Sequence, residues 1–177
     1  MRVNLGVLVV IALVGALSAS CFGGSSHSAA VSAPRTNVQL VVACDQVILQ
    51  PRSPFADGYR RVLGVISVPE AYIPQVVRIT GGRWPYWEKA GMVVRAGRSA
   101  VTVSVPQGWR TRAAITWGNA KPAVSSLRFA PCPSPANVWN AYAGGFLMRS
   151  HGACIPLIFQ VGQRRQLVRF GIDHRCV

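Results

Sequence analysis

Acidic side chains are scarce in this sequence of 177 residues, which contains 5 Asp and Glu residues against 19 Lys and Arg residues. Nothing in their spacing suggests two carboxylates across one cleft, as paired-carboxylate catalysis needs. The sequence also lacks a G-x-S-x-G nucleophile motif, an H-E-x-x-H motif and a phosphate-binding loop. We therefore predict that the protein is not an enzyme, and the sequence indicates no cofactor and no metal site.

The excess of basic residues gives a formal net charge of +14, and 17 of the 19 basic residues are Arg. Such a surface attracts anions, although a need for solubility would also explain it. Adjacent basic residues occur only at Arg60-Arg61 and Arg164-Arg165, so neither a basic arm nor a recognition helix is indicated. We predict no specific nucleic-acid partner. The ligands considered instead are anionic cell-wall polymers and lipid head groups.

Helical patterns are scarce too, since the 12 prolines are spread through the chain and no long apolar stripe recurs every 3.6 residues. One short helix is predicted over 134–142, with Pro135 in its first turn. Short strand-like runs prevail elsewhere, and Val101, Val103 and Val105 alternate with polar residues. The spacing of these runs predicts an all-β fold, either an Ig-like β-sandwich or an open barrel of about seven to nine short antiparallel strands.

Two hairpins are predicted from paired strand-like runs. The clearer hairpin joins residues 155–161 to residues 168–172, with matching apolar residues on one face of each arm. Pro156 lacks a backbone N–H, so the first arm should be an edge strand or should pair on both sides only beyond this residue. The second hairpin is predicted from residues 92–95 and 100–105.

The N-terminus has the features of an export signal. Arg2 precedes an apolar run from Leu5 to Leu17, which is shorter than the roughly 20 residues that span a bilayer. Small residues follow at 18–20, so residues 1–20 are predicted to be a signal peptide. Residues 21–36 are predicted to be a flexible tether rich in Gly and Ser, and residues 37–177 a single β-rich domain.

The stretch Ser18-Ala19-Ser20-Cys21 resembles the lipobox of bacterial lipoproteins, although Ser18 stands where that family prefers Leu. The resemblance implies that Cys21 is lipidated and becomes the first residue of a membrane-anchored protein. The alternative is ordinary signal-peptidase cleavage after small residues, which would leave Cys21 near a free N-terminus of a secreted protein. Both alternatives place the protein outside the cytoplasm.

The cysteine count favours the lipid anchor, because five cysteines leave one unpaired. Without Cys21, the four that remain can form two disulfides, and three pairings are open. These cysteines are Cys44, Cys132, Cys154 and Cys176. The Cys154–Cys176 pairing is disfavoured, because the 155–172 hairpin would place Cys154 near Ile172, with Cys176 about 13 Å further along the strand.

The most unusual local composition is the stretch from Gly81 to Glu88, which has three aromatic residues within four positions. If exposed, these rings could stack on a sugar or enter a membrane interface, with an Arg contacting an anion. The alternative is a loop that buries its rings over one end of the sandwich. The candidate ligand contacts are Arg83, Trp84, Tyr86 and Trp87.

Residues 139–146 (WNAYAGGF), Cys154, residues 168–172 (VRFGI) and Cys176 resemble the C-terminal part of small exported proteins of high-GC Gram-positive bacteria. The resemblance implies a small exported domain and no particular reaction. We therefore predict an exported cell-envelope protein that is a binding or structural module. One alternative is a basic module that binds anionic polymers or lipid head groups, and another is a secreted hydrolase that uses His151 or His174.

Overall fold

A computed structural model describes residues 39–54, 57–70, 72–79, 81–97, 99–118, 122–133 and 138–176. The predicted signal peptide, the predicted tether and Cys21 lie outside these residues. The described residues form 14 β-strands and two short 3-10 turns, Cys44–Gln46 and Gln107–Trp109. The strands are β1 (Leu40–Val42), β2 (Tyr59–Val62), β3 (Ile66–Pro69), β4 (Tyr72–Ile73), β5 (Val77–Arg78), β6 (Tyr86–Lys89), β7 (Met92–Arg95), β8 (Val101–Ser104), β9 (Ala113–Trp117), β10 (Ser126–Phe129), β11 (Trp139–Tyr142), β12 (Gly144–Met148), β13 (Ala153–Val161) and β14 (Arg164–Ile172).

The strands form three sheets. The first has the order β1-β10-β8-β13-β14-β4, the second β11-β7-β3-β2 and the third β5-β6-β12-β9. Most pairs are antiparallel, and β1 with β10 and β14 with β4 are parallel. The predicted all-β fold with antiparallel strands and two disulfides is confirmed, with more and shorter strands than the seven to nine expected.

The second and third sheets are linked where two pairs of strands bend together. The chain passes from β6 into β7 through Ala90 and Gly91, and from β11 into β12 through Ala143. At this corner the Ala90 N–H donates to the Gly144 carbonyl at 2.8 Å, and the buried indole N–H of Trp117 donates to the Ala90 carbonyl at 2.6 Å. Such bends let one strand contribute to two sheets, as in orthogonally packed β-structures.

One hydrophobic core joins residues of all three sheets, including Phe129 and Phe159, Val62 and Met92, and Trp117. Its aromatic rings meet edge-on or tilted, as their quadrupoles favour. The core joins the three sheets, and a second buried cluster of Val93, Trp139 and Ala141 lies on the other face of the second sheet. None of the described segments contains a helix long and apolar enough to cross a membrane.

The predicted C-terminal hairpin is confirmed. Strands β13 and β14 pair from Ala153–Ile172 to Val161–Arg164. Strand β13 also pairs with β8, but only from Ile158 onward, which is consistent with the missing N–H of Pro156.

Two other local predictions are wrong. Residues 92–95 and 100–105 do contain strands, but β7 pairs with β3 and β11 whereas β8 pairs with β10 and β13, so they form no hairpin. Residues 139–142 of the predicted helix 134–142 are strand β11, and residues 134–137 lie outside the described part. All four residues of β11 are buried, so the period-two alternation that marks a half-exposed strand is missing there.

The disulfides are Cys44–Cys132 and Cys154–Cys176, with Cα–Cα distances of 5.4 and 5.3 Å. The prediction against Cys154–Cys176 is wrong because the strand does not continue in a straight line after Ile172. Asp173 has a φ of 59°, a left-handed conformation that Asp tolerates better than most residues. The Asp173 N–H donates to the Ile73 carbonyl at 3.0 Å, and the chain beyond this turn brings Cys176 back to Cys154.

Candidate functional site

A groove of about 760 Å³ runs beside the edge strand β9, where a loop and a 3-10 turn from distant parts of the chain face each other. It is lined by Arg83, Trp84, Gln107, Arg110, Thr111, Ala113, Ala114, Ala123, Val124 and Ser125. Its volume lies within the range of small-molecule sites, and its openness to solvent would also admit part of a longer chain.

The loop between β5 and β6 forms the first wall. It contains Gly81 and Gly82, whose φ values of 84° and 87° favour glycine. The Ile79 N–H donates to the Pro85 carbonyl at 2.9 Å and closes the loop. At its tip the exposed guanidinium of Arg83 lies 5.0 Å from the ring centre of the half-buried Trp84. This distance is within the range of a cation–π contact.

The second wall is the turn Gln107–Trp109 with the two residues that follow it. The Arg110 Nε donates to the Val105 carbonyl at 3.3 Å, which fixes the base of this guanidinium. Behind the wall, Arg112 stacks on Trp109 with 4.0 Å between the guanidinium carbon and the ring centre. Basic and aromatic side chains are therefore concentrated on both sides of the groove.

The floor consists of small buried residues. Ala113 and Ala114 begin β9, and Val124 is held to Ile115 by a pair of backbone hydrogen bonds of 2.9 and 3.1 Å. Neighbouring residues of a strand point to opposite faces, so Ala113, which belongs to the hydrophobic core, and Ala114 face different sides of β9. The floor of the groove therefore has only small side chains.

The described lining of the groove contains cations and hydrogen-bonding groups and no acidic residue. Two of the described lining residues, Arg83 and Arg110, are basic and none is acidic. Thr111 and Ser125 offer hydroxyls, and Gln107 offers an amide. An Arg guanidinium suits carboxylate and phosphate groups, whereas an indole face suits the apolar face of a sugar ring. This arrangement can bind an anion that also carries a ring.

Of the four predicted ligand contacts, Arg83 and Trp84 line the groove, but Tyr86 and Trp87 do not. Tyr86 and Trp87 belong to strand β6, where neighbouring side chains point to opposite faces. The Tyr86 ring meets the His151 ring edge-on, with 5.5 Å between their centres. Trp87 lies opposite Leu147 in the sheet register. The three rings are neither all exposed nor all buried, as the two alternatives expected. Each is half-buried, and they lie in different environments.

Sequence reasoning missed the second wall of the groove. The stretch Gln107-Gly108-Trp109-Arg110-Thr111 contains an aromatic residue beside a basic one, much like Arg83-Trp84. That similarity could have indicated a second candidate contact. The sequence does not reveal that the two stretches face each other, because they are more than 20 residues apart and in different loops.

His151 and His174, the two histidines of the hydrolase alternative, lie near the Cys154–Cys176 disulfide in sequence. In the structure, each histidine lies close to the segment that contains the other. His151 Nδ1 is 2.9 Å from Asp173 Oδ2, and both side chains are exposed. A Cβ at Gly152 would lie 3.0 Å from His174 Nδ1. The Ser150 hydroxyl donates to the Gly152 carbonyl at 3.1 Å. A hydrolytic role for this cluster stays a prediction, to be tested by comparing ester hydrolysis by the protein and by His151→Ala.

The buried carboxyl of Glu88 lies apart from the groove. Glu88 is 6% exposed and lies opposite Phe146, which is completely buried. Loss of water around the charged form raises the pKa of Glu88 from 4.5 to about 7. The protonated form is therefore favoured in the folded protein over part of the pH range in which an exposed Glu is ionised.

We expect Glu88→Gln to stabilise the protein at pH 8 and to change its stability little at pH 4. The folded-state pKa is raised, so the stabilisation associated with protonated Glu88 is complete below about 4.5 and is lost as the pH rises to about 7. The gain at pH 8 should be about 1–3 kcal/mol, after allowance for solvent screening. Urea unfolding at both pH values measures it, with exposed Asp45→Asn as the control. An equal gain at both pH values would contradict this assignment.

Within the described segments, no cluster of three or more His, Cys, Asp or Glu side chains could hold a metal ion. No protein-family model matches the chain, and no curated protein matches it significantly. The chemistry of the groove is therefore the main guide to function.

Proposed function

We propose that the protein is an exported component of the cell envelope, anchored through lipidated Cys21, and that it is a binding module for an anionic carbohydrate. The observation that carries the binding proposal is the groove, in which Arg83 stacks on Trp84 opposite Arg110 without a described acidic residue in the lining. The two disulfides support export, because disulfides persist in oxidising compartments.

The groove offers two complementary interactions to an acidic sugar. The Trp84 indole supplies an apolar surface for stacking, while the guanidinium groups supply charge-assisted hydrogen bonds to a carboxylate or phosphate. The hydroxyls of Thr111 and Ser125 can contact sugar hydroxyls. A neutral oligosaccharide would lack the charged contacts, so the groove should prefer the acidic ligand.

Replacement of Arg83 by Gln or of Trp84 by Ala should each weaken binding of a soluble polygalacturonate about tenfold or more, because each removes one of these contacts. Isothermal titration calorimetry measures the affinities, and a neutral galactan tests the preference for charge. Arg78→Gln and Trp87→Ala are matched controls from neighbouring strands that do not line the groove. Equal weakening by the controls, or no binding of the acidic polymer by the unaltered protein, would refute the proposed ligand class.

The anchoring proposal is tested separately by the intact mass of the mature protein. Lipidation at Cys21 would add the mass of a lipid to a chain that begins at this residue. A mature chain that begins elsewhere, or a Cys21 without lipid, would show that the protein is secreted without an anchor.

A further inference from the structure

The outer face of the six-stranded sheet has a composition different from that of the groove. The register β1-β10-β8-β13-β14 aligns one row of outward side chains across five strands. The row consists of Val41, Arg128, Thr102, Gln160 and Arg165. Their strand neighbours, among them Leu127, Val103 and Phe159, face the core. We call the outward side of this sheet the basic face.

Strand β14 extends the basic face with an alternating pattern. Arg165, Leu167 and Arg169 occupy every second position and therefore point to the same side. All three are exposed, and Leu167 retains 50% of its accessible surface. Val41, at the other end of the aligned row, retains 56%. The basic face thus combines separated cations with exposed aliphatic side chains.

The charges on this face are of one sign. All five acidic residues lie in the described part of the chain, and none is in a strand of the six-stranded sheet. Arg128 and Arg165 are separated by three strand spacings, about 14 Å, and Arg165 and Arg169 by four residues, about 13 Å. Backbone positions this far apart favour several separate anionic contacts over a single small anion. They match an extended, flat, negatively charged surface.

We propose that the basic face binds the anionic surface of a lipid bilayer. The Arg side chains suit lipid phosphates, and Leu167 and Val41 suit the apolar layer beneath the head groups, which a hydrated polymer lacks. The entry of the chain into the domain also favours the bilayer. Gln39, the first described residue, donates from its side-chain amide to Ser126 Oγ at 3.2 Å, at the edge of this face.

Gln39 lies 18 residues after Cys21 (39 − 21). Eighteen residues span at most about 65 Å, so a lipid at Cys21 would keep Gln39, at one edge of the basic face, within that distance of the membrane. Only this last point rests on the proposed anchor; the charge, spacing and exposure of the face stand without it. The inference also does not depend on the carbohydrate groove.

The test measures co-sedimentation of the unlipidated Cys21→Ser protein with vesicles of phosphatidylglycerol and phosphatidylcholine. Because lipidation is removed, a failure of vesicle binding is distinguishable from a failure of the anchoring proposal. We expect binding at low salt that decreases at high salt and is absent with phosphatidylcholine alone. The triple variant R128Q/R165Q/R169Q should bind about 100-fold more weakly, since each Arg near an anionic membrane contributes severalfold. Leu167→Ser should weaken binding about fivefold.

The matched control is R52Q/R78Q/R149Q, which removes the same charge from exposed Arg residues outside this face. An equal loss in this control would show that total charge, and not the basic face, drives binding, and would overturn the inference. Soluble polyphosphate is the second probe. If the protein binds polyphosphate through the same three Arg residues but does not bind the anionic vesicles, the occupant is a polymer and the bilayer assignment is wrong.

Discussion

Removal of the Cys44–Cys132 disulfide should lower the free energy of unfolding by about 4–5 kcal/mol, and removal of Cys154–Cys176 by about 3 kcal/mol. The sequence separations are 88 and 22 residues, and a cross-link that closes a longer loop restricts the unfolded chain more strongly. The longer link also joins the 3-10 turn after β1 to the segment after β10, so it holds the edge strand to the sheet.

The environment of Cys132 adds to the cost of removing the first disulfide. Cys132 is 3% exposed, and the hydroxyl of the fully buried Tyr142 lies 3.7 Å from its Sγ. Burial raises the pKa of Tyr142 to about 12, so the hydroxyl keeps its proton and can donate it to the sulfur. Without the sulfur, a buried donor loses this partner, which costs about 1 kcal/mol or more.

Urea unfolding of C44A/C132A and C154A/C176A measures the two losses. Alanine is preferable to serine because a serine at 132 would bury a new hydroxyl. Tyr142→Phe in the C44A/C132A background should recover about 1 kcal/mol by removing the unsatisfied donor. An equal or larger loss in C154A/C176A would contradict the loop-length argument, and peptide mapping of the native protein would then check the two pairings.

The local pattern was sufficient to predict the C-terminal hairpin. Ile155, Leu157 and Phe159 occupy every second position and are fully buried, and Val168 and Phe170 return on the same face. A two-residue turn brings these arms together, so nearest neighbours in sequence are also neighbours in space. The effect of Pro156 on pairing followed from its missing N–H and needed no knowledge of the rest of the fold.

The sheet partners of the other strands depend on contacts between distant residues. The runs that became β7 and β8 were recognisable as strands, but their short connection suggested a hairpin although they belong to different sheets. The disulfide at Cys176 depends on one left-handed residue, Asp173, which the residue pattern did not reveal. The groove also depends on contacts between distant residues, because Arg83 and Arg110 line it together only when β5, β6 and β9 assemble into one sheet with β12.

Replacement of Gly145 by Ala should destabilise the protein by about 4 kcal/mol. Gly144 and Gly145 begin β12, the strand between β6 and β9, and Gly145 has a φ of 159°. A Cβ at Gly145 would collide with the carbonyl oxygen of Glu88. That atom is backbone in a paired strand and cannot rotate away, so the sheet itself must shift. Backbone strain at this positive φ and overpacking each cost about 1–3 kcal/mol, and here they occur together.

Gly162→Ala is the matched control for Gly145→Ala. Gly162 has a φ of 56° in the β13–β14 turn, and nothing lies within 4 Å of a Cβ added there. Its substitution should lower the free energy of unfolding only by the cost of a left-handed backbone at Ala, about 1–2 kcal/mol. The difference between the two variants in urea unfolding therefore measures the close approach of β12 to β6. Equal losses of stability in the two variants would mean that the backbones of β12 and β6 do not approach this closely. The bend from β11 into β12 would then not need a glycine for space.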